Sequence, residues 1–114
     1  MPFKDSGKNI MLNEVVSVIT HVSLHSAFPA TGGNELAGGG YARQAITWDA
    51  AAAGSISDAT NGATFSIEAG DTVAAVGFNT ALTGGTIHAD ADVTDEVFGG
   101  AGTYELTNAT LSIT

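Results

Sequence analysis

A chain of 114 residues with no cysteine, and with 12 acids against three bases, has room for one packed domain. Disulfides, thiolate metal sites and cysteine nucleophiles are excluded together, and a net charge of −9 repels a phosphate backbone, so nucleic acid is not an expected partner. Only 13% of the residues are charged; the polarity comes from threonine, serine, asparagine and 15 glycines, which suits strands better than exposed helices.

The opening Met-Pro-Phe-Lys-Asp-Ser-Gly-Lys lacks the apolar segment of a signal peptide. The apolar run from Ile10 to Ile19 is broken by Asn13 and Glu14 and is shorter than the roughly 20 residues that cross a bilayer. No membrane insertion is expected. Within that run Met11, Leu12, Val15, Val16 and Ile19 recur at helical spacing, and Asp5 or Ser6 can cap, which predicts a helix over about 6–19. An isolated helix of that length is marginal in water, so Leu12, Val15, Val16 and Ile19 are expected to lie on the rest of the domain.

From Thr20 the period changes to two. Val22 and Leu24 alternate with His21, Ser23 and His25, which predicts a half-buried strand ended by Pro29. Ala30 to Gly40 reads as a flexible, glycine-rich loop, of the kind that is functional or is ordered by a neighbour. Strand character returns at Tyr41, with Ala42, Gln44, Ile46 and Trp48 on one face and Tyr41, Arg43, Ala45 and Thr47 on the other. Ala50 to Ala53 has no clear period. Asn61-Gly62 is a turn signal ahead of a strand through Phe65 and Ile67, and Glu68-Ala69-Gly70-Asp71 is a second turn.

Thr72 to Thr80 is apolar on both faces: Ala74, Val76 and Phe78 on one, Val73, Ala75 and Gly77 on the other. Such a strand needs cover twice, from the helix or from another subunit. Beyond Thr83-Gly84-Gly85, Ile87, Ala89, Ala91 and Val93 point inward and Thr86, His88, Asp90, Asp92 and Thr94 outward. Gly99 to Gly102 then turns the chain into Tyr104, Leu106, Leu111 and Ile113, the last strand being expected within a sheet. Short strands between glycine turns predict an all-β, single-domain β-sandwich or jelly-roll-like fold over residues 1–114, with strands from about 20 to 114 after the one N-terminal helix.

Nothing in the chain assembles into catalytic machinery. Ser23, Ser26, Ser55, Ser57, Ser66 and Ser112 sit in no nucleophile elbow, and no glycine-rich phosphate loop precedes a helix, so neither enzyme activity nor a cofactor is expected. His21 and His25 lie about 13 Å apart on a strand, too far for one ion. His88, Asp90 and Asp92 share a face, but calcium takes six to eight oxygens, usually from a loop of defined spacing that is missing here; a solvated acidic face is the plainer reading. The fold is expected not to depend on a metal. Trp48, on the Ile46 face, reads as core rather than as a sugar platform. Arg43 beside Tyr41 is either a surface salt bridge or a bidentate contact across a subunit interface. The candidate interface is therefore Tyr41, Arg43, Asn34 and Glu35 with Val73 and Ala75, and Arg43→Glu is expected to weaken assembly without unfolding the domain.

Six segments carry a resemblance over most of the chain: Asp5-Ser-Gly-Lys-Asn-Ile-Met-Leu-Asn13, Thr20-His-Val-Ser-Leu-His-Ser26, Gly33-Asn-Glu-Leu-Ala-Gly-Gly-Gly-Tyr-Ala-Arg-Gln-Ala-Ile-Thr-Trp48, Phe65-Ser-Ile-Glu-Ala-Gly-Asp-Thr-Val73 with Val76-Gly-Phe78, Thr83-Gly-Gly-Thr86 and Gly102-Thr-Tyr-Glu-Leu-Thr107. Read in order, they resemble a family of small tail-fibre or minor tail virion proteins of tailed bacteriophages. The acidic stretch from His88 to Asp92 departs from the more neutral sequence of that family. The resemblance implies a non-enzymatic structural subunit, made in the host cytoplasm and residing in the virion, whose partners are copies of itself and other virion proteins. Capsid decoration is an alternative. A third reading is a carbohydrate-binding module for a host-surface glycan, for which Tyr41, Tyr104 and Phe28 are the aromatic candidates.

Overall fold

A computed structural model describes residues 2–57, 63–107 and 109–112. One helix, α1 (Asp5–Val16), precedes eight strands: β1 (His21–His25), β2 (Gln44–Ala45), β3 (Ser55–Ser57), β4 (Ala63–Ile67), β5 (Thr72–Asn79), β6 (Ile87–Val97), β7 (Gly102–Leu106) and β8 (Thr110–Ser112). The fold is all-β with one short N-terminal helix, as the periodicities predict. A four-stranded antiparallel sheet runs β2-β1-β5-β6, and two antiparallel pairs, β3-β8 and β4-β7, stand apart from it. The last described strand, β8, sits within a sheet, the two-stranded one it forms with β3.

The core follows from strand alternation. In β4, Ala63, Phe65 and Ile67 are buried while Thr64 and Ser66 are exposed, and Phe65 stands opposite Tyr104 of β7. These apolar faces meet Val22, Leu24, Val76 and Phe78 of the large sheet, with Ile19, Leu36 and Ile46 entering from the connections. Ala89, Ala91 and Val93 of β6 line the margin of this core half-buried, as their alternation predicts. Trp48 packs there too, its ring 5.8 Å from that of Phe78 and its Nε1 donating to Ile19 O.

Three expectations need correction. First, the helix is shorter than 6–19. Its final turn tightens into i→i+3 bonds, Ser17 N–H to Glu14 O, Val18 N–H to Val15 O and Ile19 N–H to Val16 O, which carry Ile19 off the helix into the core. Lys4 occupies the N-cap position, without a side-chain cap, so neither Asp5 nor Ser6 caps. Second, β1 is buried on both faces and not half-buried: Ser23 and His25 are as enclosed as Val22 and Leu24. Third, the strand foreseen from Tyr41 to Trp48 is broken: Gln44 and Ala45 pair with β1, Trp48 forms a separate bridge, and Tyr41 and Arg43 leave the sheet to bind elsewhere. The turn expected at Asn61-Gly62 lies outside the described residues.

β5 is covered twice, as expected, but neither by the helix nor by a second subunit. A register irregularity between Val73 and Ala75 lets Val73 join Val76 and Phe78 in the apolar core. Ala75, Gly77 and Asn79 line the opposite face beside Ser23 and His25, where the chain from Ser26 to Arg43 folds over them. Gly77 is the close approach that makes this possible. A methyl group there would stand 2.8 Å from both His25 Nε2 and Ser23 Oγ. Gly77→Ala should therefore cost about 1–3 kcal/mol through overpacking, read as a lowered denaturant midpoint. Ser23→Gly in the same chain should return part of the loss.

Candidate functional site

The polar residues that face β5 form one connected network, built by the segment after β1. Asn34 shapes that segment. Its Oδ1 accepts from Thr31 N–H at 2.8 Å, and its amide donates to Ala27 O and Pro29 O at 3.1 and 2.9 Å. With Asn34 so placed, Ser26 N–H reaches Asn34 O and Leu36 N–H reaches Leu24 O, laying residues 34–36 alongside β1. The stretch read from sequence as a flexible loop is thus tied down through its middle.

Glu35 and Arg43 then close on each other. Arg43 Nε donates to Glu35 Oε2 at 2.9 Å and Nη2 to Oε1 at 2.8 Å, the bidentate fork of a guanidinium on a carboxylate. Nη1 donates to Ala81 O at 2.9 Å and Gly84 O at 2.8 Å, clamping the β5–β6 turn to the same point. Tyr41 Oη donates to Glu35 Oε2 at 2.8 Å and accepts from Leu24 N–H at 2.9 Å, while its ring lies stacked on Phe65, 6.3 Å between centroids. The pair is largely enclosed: the side chains of Arg43 and Glu35 are 9% and 18% exposed.

The electrostatics follow from this geometry. Burial alone would raise the Glu35 carboxyl, but hydrogen bonds from Arg43 and Tyr41, with the Arg43 charge, outweigh it and hold the group below its ordinary 4.5. The Glu35 hydrogen bonds push Arg43 upward in turn. Burial drives the Tyr41 phenol well above its ordinary range, with Glu35 adding to the rise.

A second branch runs beneath. His25 Nδ1 lies 3.0 Å from both Thr31 O and Asn34 Oδ1, two acceptors, so it carries a proton. In the neutral ring Nε2 then accepts from Ser23 Oγ at 2.6 Å, and Ser23 Oγ accepts from Asn79 Nδ2 at 2.6 Å. Hydroxyl, imidazole and amide stand at the distances of a nucleophile, its base and an orienting group. Ser23 and His25 are 0% exposed, however, and Asn79 covers the hydroxyl, so no substrate reaches Oγ. The array joins β1, β5 and the overlying segment. Above it lies a polar cavity of about 330 Å³, lined in part by Gly32, Glu35, Arg43, Asn79 and Ile87.

Of the residues singled out from sequence, Asn34, Glu35, Tyr41 and Arg43 come together here. Val73 and Ala75 do not: both are fully buried, Val73 in the apolar core and Ala75 opposite His25. Within one chain all six make internal contacts, and the fork expected of Arg43 closes inside the molecule. Arg43→Glu would set two carboxylates face to face, so it should unfold the site rather than leave the domain intact. His21 hydrogen-bonds Thr20 Oγ1, His88 lies beside α1, and Asp90 accepts from Ala30 N–H, so neither histidine grouping converges. Among the described residues no three metal-ligating side chains gather. Ser23, Gly77 and Asn79 were not foreseen. Their one signal is a glycine inside an apolar strand, which marks a close approach.

The polar groups of this site thus hold the connections of a small antiparallel fold. The model of the podophage GP4 fiber I protein gp80 family matches residues 12–113, and the chain belongs to that family. No curated protein and no solved structure matches the chain.

Proposed function

We propose that the chain is a non-enzymatic structural subunit of the phage fibre, working by packing against copies of itself and other virion proteins. The observation that carries this reading is where the chemistry lies. The hydroxyl–imidazole array is sealed, the charged fork is saturated by internal partners, and the exposed surface offers apolar and acidic contact area instead. Surfaces of that kind bind by complementarity. Among the aromatic candidates for a sugar platform, Tyr41 stacks inside on Phe65 and Tyr104 is half-buried, which leaves Phe28 exposed. The family match favours the fibre over the capsid as the place of the subunit.

The test is cryo-electron microscopy of the parent particle with mass spectrometry of its proteins. The chain should be present in several copies per particle, with its density in the fibres. Particles that lack the chain, or that carry it only on the capsid lattice, would overturn the proposal.

A further inference from the structure

Helix α1 packs on the domain through Leu12, with Val15 against the core, as its apolar spacing predicts, but it leaves a second apolar stripe uncovered. Asn9 Oδ1 accepts from Gly54 N–H and Asn13 Oδ1 from Ala51 N–H, both at 3.0 Å, which fastens the helix to the 51–54 turn. Leu12 is the one buried residue of the helix. Ile10 is 71% exposed, and Val18, just past the helix, 47%. Phe3, 62% exposed, folds back over Gly7 and extends the same stripe. Ile10, Met11, Val15 and Val18 line one open groove with Glu14 and His88.

Charge says what can cover this stripe. Residues 3–18 carry Lys4 and Lys8 against Asp5 and Glu14, two bases and two acids, for a net charge of zero. The remaining ten acids face Arg43 alone, so the whole −9 lies elsewhere in the chain. Two copies approaching through almost any other surface bring like charges together. Through α1 they do not. In an antiparallel pairing centred between Ile10 and Met11, apolar residues of one helix meet those of the other. Each Glu14 then comes against the turn that holds Lys8, with Lys4 one turn before it, and the two contacts repeat under a two-fold axis.

We propose that α1 pairs with α1 of a second copy of this chain, antiparallel, burying Phe3, Ile10, Met11 and Val18. This deepens the subunit reading and rests on it. The test is the oligomeric state of the whole chain by analytical ultracentrifugation. The native chain should be a dimer, and Ile10→Glu and Val18→Glu should each be monomeric at the same concentration with unchanged circular dichroism. Glu14→Lys should weaken the dimer by an order of magnitude or more, and Lys4→Glu with Lys8→Glu in the same chain should restore it. Because the protein has no cysteine of its own, Ile10→Cys should give a single covalent dimer on oxidation. A native chain that stays monomeric at millimolar concentration, an assembly indifferent to Ile10→Glu, or an Ile10→Cys chain that forms no covalent dimer would overturn the pairing. Particles that contain the chain while it is monomeric in solution sink the helix pairing alone. A solution dimer absent from particles sinks the subunit reading alone.

Discussion

Arg43→Met should lower stability by about 3–5 kcal/mol, the usual result of removing one partner from an enclosed ion pair. Four hydrogen bonds vanish with the guanidinium, two to Glu35 and one each to Ala81 O and Gly84 O. The larger part of the loss is Glu35, left enclosed with Tyr41 as its one remaining hydrogen-bond donor. Urea unfolding of Arg43→Met, Glu35→Met and the double variant separates these terms. The double variant should recover much of the loss, because two apolar side chains demand no charge compensation. Three additive losses would show that the fork contributes nothing as a pair. The same pair contributes to the acid limb of stability. Glu35 titrates lower in the folded chain than its ordinary 4.5, so its contribution is complete above that value and drains away as pH falls through the lower folded one. Glu35→Gln should flatten that part of the pH–stability curve.

Phe65→Ala is the second large effect, again about 3–5 kcal/mol. The ring is fully buried at the centre of β4, and it is the platform on which Tyr41 stacks. Its removal should therefore leave a cavity and also loosen the phenol that binds Leu24 N–H and Glu35. Two measurements check this: the denaturant midpoint, and a double-mutant cycle with Tyr41→Phe. A cycle that closes to zero would mean the apolar core and the polar network are energetically separate. Phe65→Leu, which keeps most of the volume, should cost about 1.5 kcal/mol or less.

What could be read in advance divides by the range of the interactions. The alternations in β4 and β6, the turn at Glu68–Asp71 and the core placement of Trp48 depend on near neighbours along the chain, and they hold. The enclosure of Ser23 and His25 depends on Asn34 bending a distant segment back over β1, and no periodicity contains that. Apolar spacing located the helix and its packed side, Leu12 and Val15 with Ile19 just beyond, but not the bonds of Asn9 and Asn13 to backbone donors in the 51–54 turn. For the polar site the residue types at 34, 35, 41 and 43 were recognised, while their mutual contact was not. A bidentate fork looks the same in sequence whether it closes within a chain or between two.

Strand β6 has a consequence for life in a crowded cell. It is the long edge of the main sheet, eleven residues of which only one side is paired. An unpaired edge of that length is a template for uncontrolled stacking into insoluble aggregates. Here the edge carries Asp90, Asp92, Asp95 and Glu96, all exposed, in a strand without lysine or arginine. Two such edges laid together would confront eight carboxylates, so the strand is kept solitary by repulsion at neutral pH. Lowering the pH far enough to protonate these carboxylates should remove the repulsion and let the edges pair, read as light scattering that rises on acidification.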